Sequence, residues 1–100
     1  MNEAYYERQL TQSIRALGAM CLKFVSPGNN GVPDRIILLP GGYAMFAELK
    51  QPGKKERARQ DYVQRQLRAL GFEVYSSVNS LEKIGMIVDR CKEVIGNAAL

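Results

Sequence analysis

Histidine is missing from this chain of 100 residues. That excludes Ser-His-Asp and Cys-His nucleophile systems, His-Glu metalloproteases and nucleases built on a histidine-bound metal. Cysteine is nearly as scarce. Cys21 and Cys91 are far apart and form no CxxC pair, which argues against a structural zinc site and for two buried thiols in a reducing cytoplasm. No apolar run nears the ~20 residues that cross a bilayer. The opening MNEAYYERQL is polar and helix-like, unlike a secretory signal. Membrane partners are therefore not expected, and a cytoplasmic location is.

Acidic residues are short in one place. Residues 50–59 carry Lys50, Lys54, Lys55, Arg57 and Arg59 against Glu56 alone. With 14 basic and 10 acidic side chains in the whole chain, the remainder balances at nine of each. The entire net charge of +4 thus sits in one short stretch. As an isolated loop it reads equally well as a solvated turn, but clustered Lys and Arg are also what a phosphate backbone rewards through counterion release.

One hundred residues with an ordinary apolar share, 46%, suit a single globular domain spanning residues 1–100. The pattern predicts a helix over 3–18, ending at Gly18, with Leu10, Ile14 and Leu17 as its apolar line. A strand over 20–25 follows, then the turn-rich SPGNNGVP. Strands over 35–39 and 43–50 read as a hairpin about PGG. A second helix over 56–70 carries Val63, Leu67 and Leu70 along one face, and a fourth strand covers 72–76. Asn79 and Glu82 form an N-x-x-E cap for a last helix striped by Leu81, Ile84, Val88, Cys91 and Ile95. The order α-β-β-β-α-β-α implies an α/β fold, with a central mixed sheet of about four strands flanked by helices.

Charge inside strands needs a partner. Alternation in the strand over 43–50 puts Ala44, Phe46, Glu48 and Lys50 on one face. Asp34 opens the antiparallel neighbour at the hairpin's open end, where Glu48 and Lys50 also lie. Glu7 extends the buried line of the first helix, and Gln60 stands at the start of the apolar line of the second. Two or three carboxylates are enough to hold Mg²⁺ or Mn²⁺, hard cations that keep several waters. Lys50 would then act as a fixed point charge and Gln60 as an orienting group. Glu3, one turn before Glu7, is a rival for the helical acid; its bland reading is an acid favourable in a first helical turn.

GVPDRIILLPGG, FAELKQPGKK, Gln60 and LRALGFEVY together resemble the VRR-NUC domain, a branch of the PD-(D/E)xK nucleases with the restriction-endonuclease-like fold. The resemblance runs from about Glu7 to Ser77. It implies metal ligation by Asp34, Glu48, the backbone carbonyl of Leu49 and Glu7, with Lys50 and Gln60 completing the catalytic set. Lys23 matches a recurring basic position, although a plain strand-edge lysine explains it as well. With Arg35, Lys54, Lys55, Arg57 and Arg59 it makes the candidate DNA-binding set. Stand-alone members are similar to phage proteins that act as dimers on branched DNA, so the implied setting is a bacterial or phage-infected cell.

The expected function is a Mg²⁺- or Mn²⁺-dependent endonuclease, selective for four-way (Holliday) junctions or other branched DNA. It would act as a homodimer, because symmetric cleavage needs two sites about a two-fold axis. The last helix and the tail VIGNAAL are the candidate interface, and no nucleotide or organic cofactor is expected. The alternative is a non-catalytic DNA-binding module that uses residues 50–59.

Overall fold

The computed structural model describes residues 1–98. Its elements are α1 (Glu3–Arg15), β1 (Met20–Lys23), β2 (Arg35–Leu39), β3 (Tyr43–Leu49), α2 (Ala58–Ala69), β4 (Glu73–Val78) and α3 (Leu81–Ala98). That is the order expected from the sequence. The four strands form one sheet in the order β1-β2-β3-β4. The first two pairs are antiparallel and β3 pairs with β4 in parallel, so the sheet is mixed. α2 makes the crossover that a parallel pair requires.

Side-chain alternation divides the sheet into two faces. Cys21, Ile37 and Met45 are neighbours across three strands. They form the main core with Leu10 and Ile14 of α1 and Ile84, Ile87, Cys91 and Val94 of α3. Each fully buried aliphatic side chain there is worth roughly 1.5–3 kcal/mol of transfer free energy. The next row, Leu22, Ile36 and Phe46, points the other way. Phe46 lies between Phe24 and Phe72, with ring centroids 5.5 and 5.4 Å away. α2 packs against β4 on the sheet, and Met20 and Leu22 on β1 are exposed.

Several boundaries differ from the sequence pattern for identifiable reasons. α1 stops at Arg15 because Leu17 and Gly18 donate to the carbonyls three residues back, at 3.0 Å each, a tighter turn that ends the helix. β1 is shorter than expected and ends at Lys23. β4 starts at Glu73 because Phe72 is engaged elsewhere: its amide donates to Leu67 and that of Gly71 to Arg68. This pair of bonds closes α2 around Gly71 at a φ of +100°. α3 is capped by Ser80, whose Oγ accepts the Lys83 amide at 3.1 Å, and not by Asn79. Its buried line is Ile84, Ile87, Cys91 and Val94, with Leu81 exposed and Val88 and Ile95 half-buried.

α2 departs furthest from the expected pattern. It begins at Ala58 rather than 56, Leu70 is 75% exposed, and the residue it buries is Gln64. The surface it meets is polar: Ser76 donates to Gln64 Oε1, and Arg68 donates to the Val74 carbonyl at 2.8 Å and to Ser76 Oγ at 2.7 Å. Apolar periodicity cannot report an interface made of hydrogen bonds.

At the far end of the sheet Glu73 ties β3, β4 and α3 together. It accepts from Tyr43, from Tyr75 at 2.7 Å, and from Arg90 Nε and Nη2 at 3.0–3.1 Å. The Arg90 guanidinium and the two phenols hold its carboxyl down to about 2. A depressed carboxyl stabilises the fold above its unfolded pKa and loses that contribution as pH falls through the folded value. Urea midpoints should therefore fall as pH drops from about 4.5 to about 2, and Glu73→Gln should flatten that fall. An unchanged slope in the variant would show that Glu73 is not the anchor.

Candidate active site

The glycine-rich loop before β2 is pinned at both ends. Phe24 donates to the Asp34 carbonyl at 2.8 Å, and the Asn30 carbonyl accepts from Arg59 Nε at 3.1 Å. Gly31, at a φ of +91°, lies so close to α2 that a Cβ would stand 2.8 Å from the Arg59 carbonyl oxygen. No other residue fits there without displacing the loop. Pro33 is buried, and the chain delivers Asp34 to the mouth of β2.

The β2–β3 register pairs Arg35 with Ala47, so the next position sets Asp34 against Glu48. Reciprocal hydrogen bonds lock the pair: the Asp34 amide donates to Glu48 Oε1 at 3.1 Å, and the Leu49 amide donates to Asp34 Oδ2 at 2.9 Å. Glu48 is only 2% exposed. Gln60 reaches across from the first turn of α2. Its Nε2 donates to Glu48 Oε2 at 2.6 Å, and its Oε1 accepts from Lys50 Nζ at 2.8 Å and from the Arg57 amide at 3.0 Å. One side chain thus closes the start of the helix and joins the lysine to the acid. Lys50 Nζ lies 3.5 Å from Glu48 and 3.9 Å from Glu56.

Burial, and then the charge of Asp34, push the Glu48 carboxyl up to about 7. Asp34 is raised as well, by burial first and by Glu7 further, against the opposing Leu49 amide and Lys50. Two desolvated carboxylates that repel one another, with one lysine nearby, form a site short of positive charge. The remaining expected residues sit around it. Glu7 turns to Arg35, with Nε to Oε2 at 2.9 Å. It does not complete a three-acid cluster: among the described residues no group of three or more His, Cys, Asp or Glu side chains is arranged for a metal. Glu3 is exposed on the preceding turn. Lys23, Lys54, Lys55, Arg57 and Arg59 are all exposed, and the Arg59 guanidinium lies 5.0 Å from the centre of the Tyr62 ring.

No family model matches the chain. It is similar to a solved structure described as "VRR_NUC domain", with a TM-score of 0.79 and 24% identity over 87% of this chain and 94% of that one, a likeness of fold. It is also 42% identical over 74 residues to "Putative nuclease p44" of Acyrthosiphon pisum secondary endosymbiont phage 1. That match spans 74% of this chain and 80% of the relative. The chain belongs to the family of that phage nuclease and has the VRR-NUC fold.

In this VRR-NUC chain, two residues that the sequence pattern did not single out hold the site in shape. Glu56 read as the lone acid of a basic loop, yet its Oε1 accepts from the Ser77 amide at 2.9 Å and from the Ser77 hydroxyl at 3.1 Å. Ser77 has a φ of +50°, the only positive value on a non-glycine residue among the described residues. It sits where pairing steps from Ala47–Tyr75 to Leu49–Val78, so β4 carries one residue more than β3. Such a bulge beside a reactive centre re-aims the strand, and the Glu56 carboxylate stabilises the strained residue. No spacing rule would have found either position.

Proposed function

We propose that this nuclease is a divalent-metal-dependent DNA endonuclease, with Asp34, Glu48 and the Leu49 carbonyl as the metal ligands and Lys50 and Gln60 as their catalytic partners. The observation that carries the reading is the reciprocal Asp34–Glu48 lock, which presses two carboxylates together at a buried strand end. The donor set is all oxygen and locally short of positive charge, which suits Mg²⁺ or Mn²⁺ over softer ions. Glu7 enters that set through the carboxylate oxygen that Arg35 leaves free, or by giving up Arg35. When bound, such an ion polarises a phosphodiester and stabilises developing negative charge.

The protein groups orient and tune. Gln60 holds Glu48 and Lys50 in fixed relation, and Lys50 adds a positive charge beside the reacting phosphate. Glu56 restrains Lys50 from the other side. Exposed Lys54, Lys55, Arg57 and Arg59, with Lys23 and Arg35, draw the DNA backbone in. Branched DNA is the preferred substrate in this reading, because shape is what such a set recognises without an element that reads base edges. Paired incisions across a junction call for a homodimer. α3 leaves Leu81 and Met86 exposed for such a contact, and the tail's Ala99 and Leu100 lie outside the described residues.

The test is cleavage of synthetic four-way junctions, flaps and linear duplex with Mg²⁺ or Mn²⁺, then with EDTA, alongside the mass in solution. Metal-dependent cutting with preference for branched forms, by a species of twice the chain mass, is expected. Binding without cutting under every metal condition would identify a DNA-binding module instead.

A further inference from the structure

A groove of about 350 Å³ runs along α1, with Glu7, Arg8, Thr11, Gln12 and Arg15 on its wall and Arg35 on β2. It holds three guanidinium groups and one carboxylate. Glu7 is already paired with Arg35, and Arg35 also donates to the Cys21 carbonyl at 3.3 Å. Arg8 and Arg15 are exposed and, among the described residues, form no salt bridge. They stand seven positions apart on the helix, about 10 Å at 1.5 Å per residue. That matches three nucleotides of one strand at ~3.4 Å each. The exposed amide of Gln12 lies between, a neutral donor for a phosphate oxygen.

What this groove adjoins identifies its occupant. Its wall residue Arg35 directly follows Asp34 in the chain, and Glu7 is held against that arginine at 2.9 Å. A second groove, about 330 Å³, includes Asn30, Arg57, Arg59 and Gln60, and that glutamine bonds Glu48. Two basic grooves therefore reach the same pair of acids through different residues. A compact anion would fill one of them; a polymer with a phosphate at every repeat uses both.

We propose that the α1 groove is a second phosphate track, in which Arg8 and Arg15 hold the DNA strand flanking the scissile linkage while residues 57–60 hold the other flank. This deepens the endonuclease reading and rests on it. The test is the affinity of a fluorescein-labelled four-way junction for the Glu48→Gln protein across a salt series, with and without Arg8→Gln and Arg15→Gln together. Each lost phosphate contact should lower the slope of log affinity against log salt by about 0.9. The double change should therefore lower it by nearly 2, with affinity at least ~10-fold weaker. Arg8→Lys with Arg15→Lys should restore the slope, since lysine carries the same charge, and a loss through misfolding would not be rescued so simply. Lys92→Gln, on α3 and lining neither groove, should barely move it.

A slope and affinity indistinguishable from those of the Glu48→Gln parent would overturn the track, as would a loss that the lysine pair fails to rescue. Wild-type cleavage of the same junction separates the two claims. Cutting with an unchanged slope removes only the track. A lowered slope without any metal-dependent cutting removes the endonuclease and leaves a phosphate-binding groove.

Discussion

Glu48→Gln should abolish cleavage and, at the same time, remove a pH-dependent weakness of the metal-free fold. The change keeps the volume of a side chain that is 2% exposed and deletes one of two crowded charges. In the proposed reaction Glu48 binds the catalytic ion, and loss of such a charge removes several kcal/mol of transition-state stabilisation. At 1.36 kcal/mol per tenfold, cutting should fall by ~10³ or more. For stability the sign follows from the raised carboxyl. With a folded value of about 7 against an ordinary 4.5, the folded state binds the extra proton between those pH values. Metal-free wild type therefore loses stability as pH rises from about 4.5 through about 7. Urea denaturation at pH 4.5 and pH 8 should show the free-energy difference moving in favour of Glu48→Gln by on the order of 2 kcal/mol. Parallel behaviour of the two proteins across that range would contradict the buried, repelled carboxylate.

Lys50→Met carries the second large effect, on both folding and catalysis. Lys50 is 11% exposed and is flanked by Glu48 at 2% and Glu56 at 16%. Removing the cation leaves two acids facing each other without compensation. Breaking a buried pair from one side costs about 3–5 kcal/mol; the partial exposure here lowers the expectation to ~2–4 kcal/mol at pH 8. The loss should shrink toward pH 5, because Glu48, titrating at about 7, is then neutral. Gln60 also loses a donor to its Oε1, so Glu48 is held less firmly and cleavage should fall with stability. A variant within 0.5 kcal/mol of wild type at both pH values would show that Lys50 is a solvated surface charge.

The part of the site that follows simple periodicity was legible in the chain. Asp34 and Glu48 meet because side chains alternate with a period of two and the hairpin about PGG sets the register. Both rules are local, and the pairing of Arg35 with Ala47 obeys them. Gln60 was legible as a polar residue closing an apolar line. What escaped depends on contacts between distant segments. Glu56 meets Ser77 across 21 residues, at a bulge that alternation cannot register. Glu7 lay on the expected helical line, but its ion pair with Arg35 joins residues 28 apart and changes which acids are free. The polar seat of α2, where Gln64 and Arg68 meet Ser76 and the Val74 carbonyl, likewise looks, in sequence, like a weak amphipathic helix. Ser80 displaced Asn79 as a cap by a single position, the margin by which such boundaries ordinarily shift.

The proposed activity requires a metal ion bound by the Asp34 and Glu48 carboxylates. Anomalous diffraction from crystals soaked in Mn²⁺ at pH 8 measures that directly. A peak within ligand distance of both Asp34 and Glu48, lost in Glu48→Gln crystals, is the expected result. At saturating Mn²⁺, the absence of a peak there, or one that persists at full height in the variant, would contradict it.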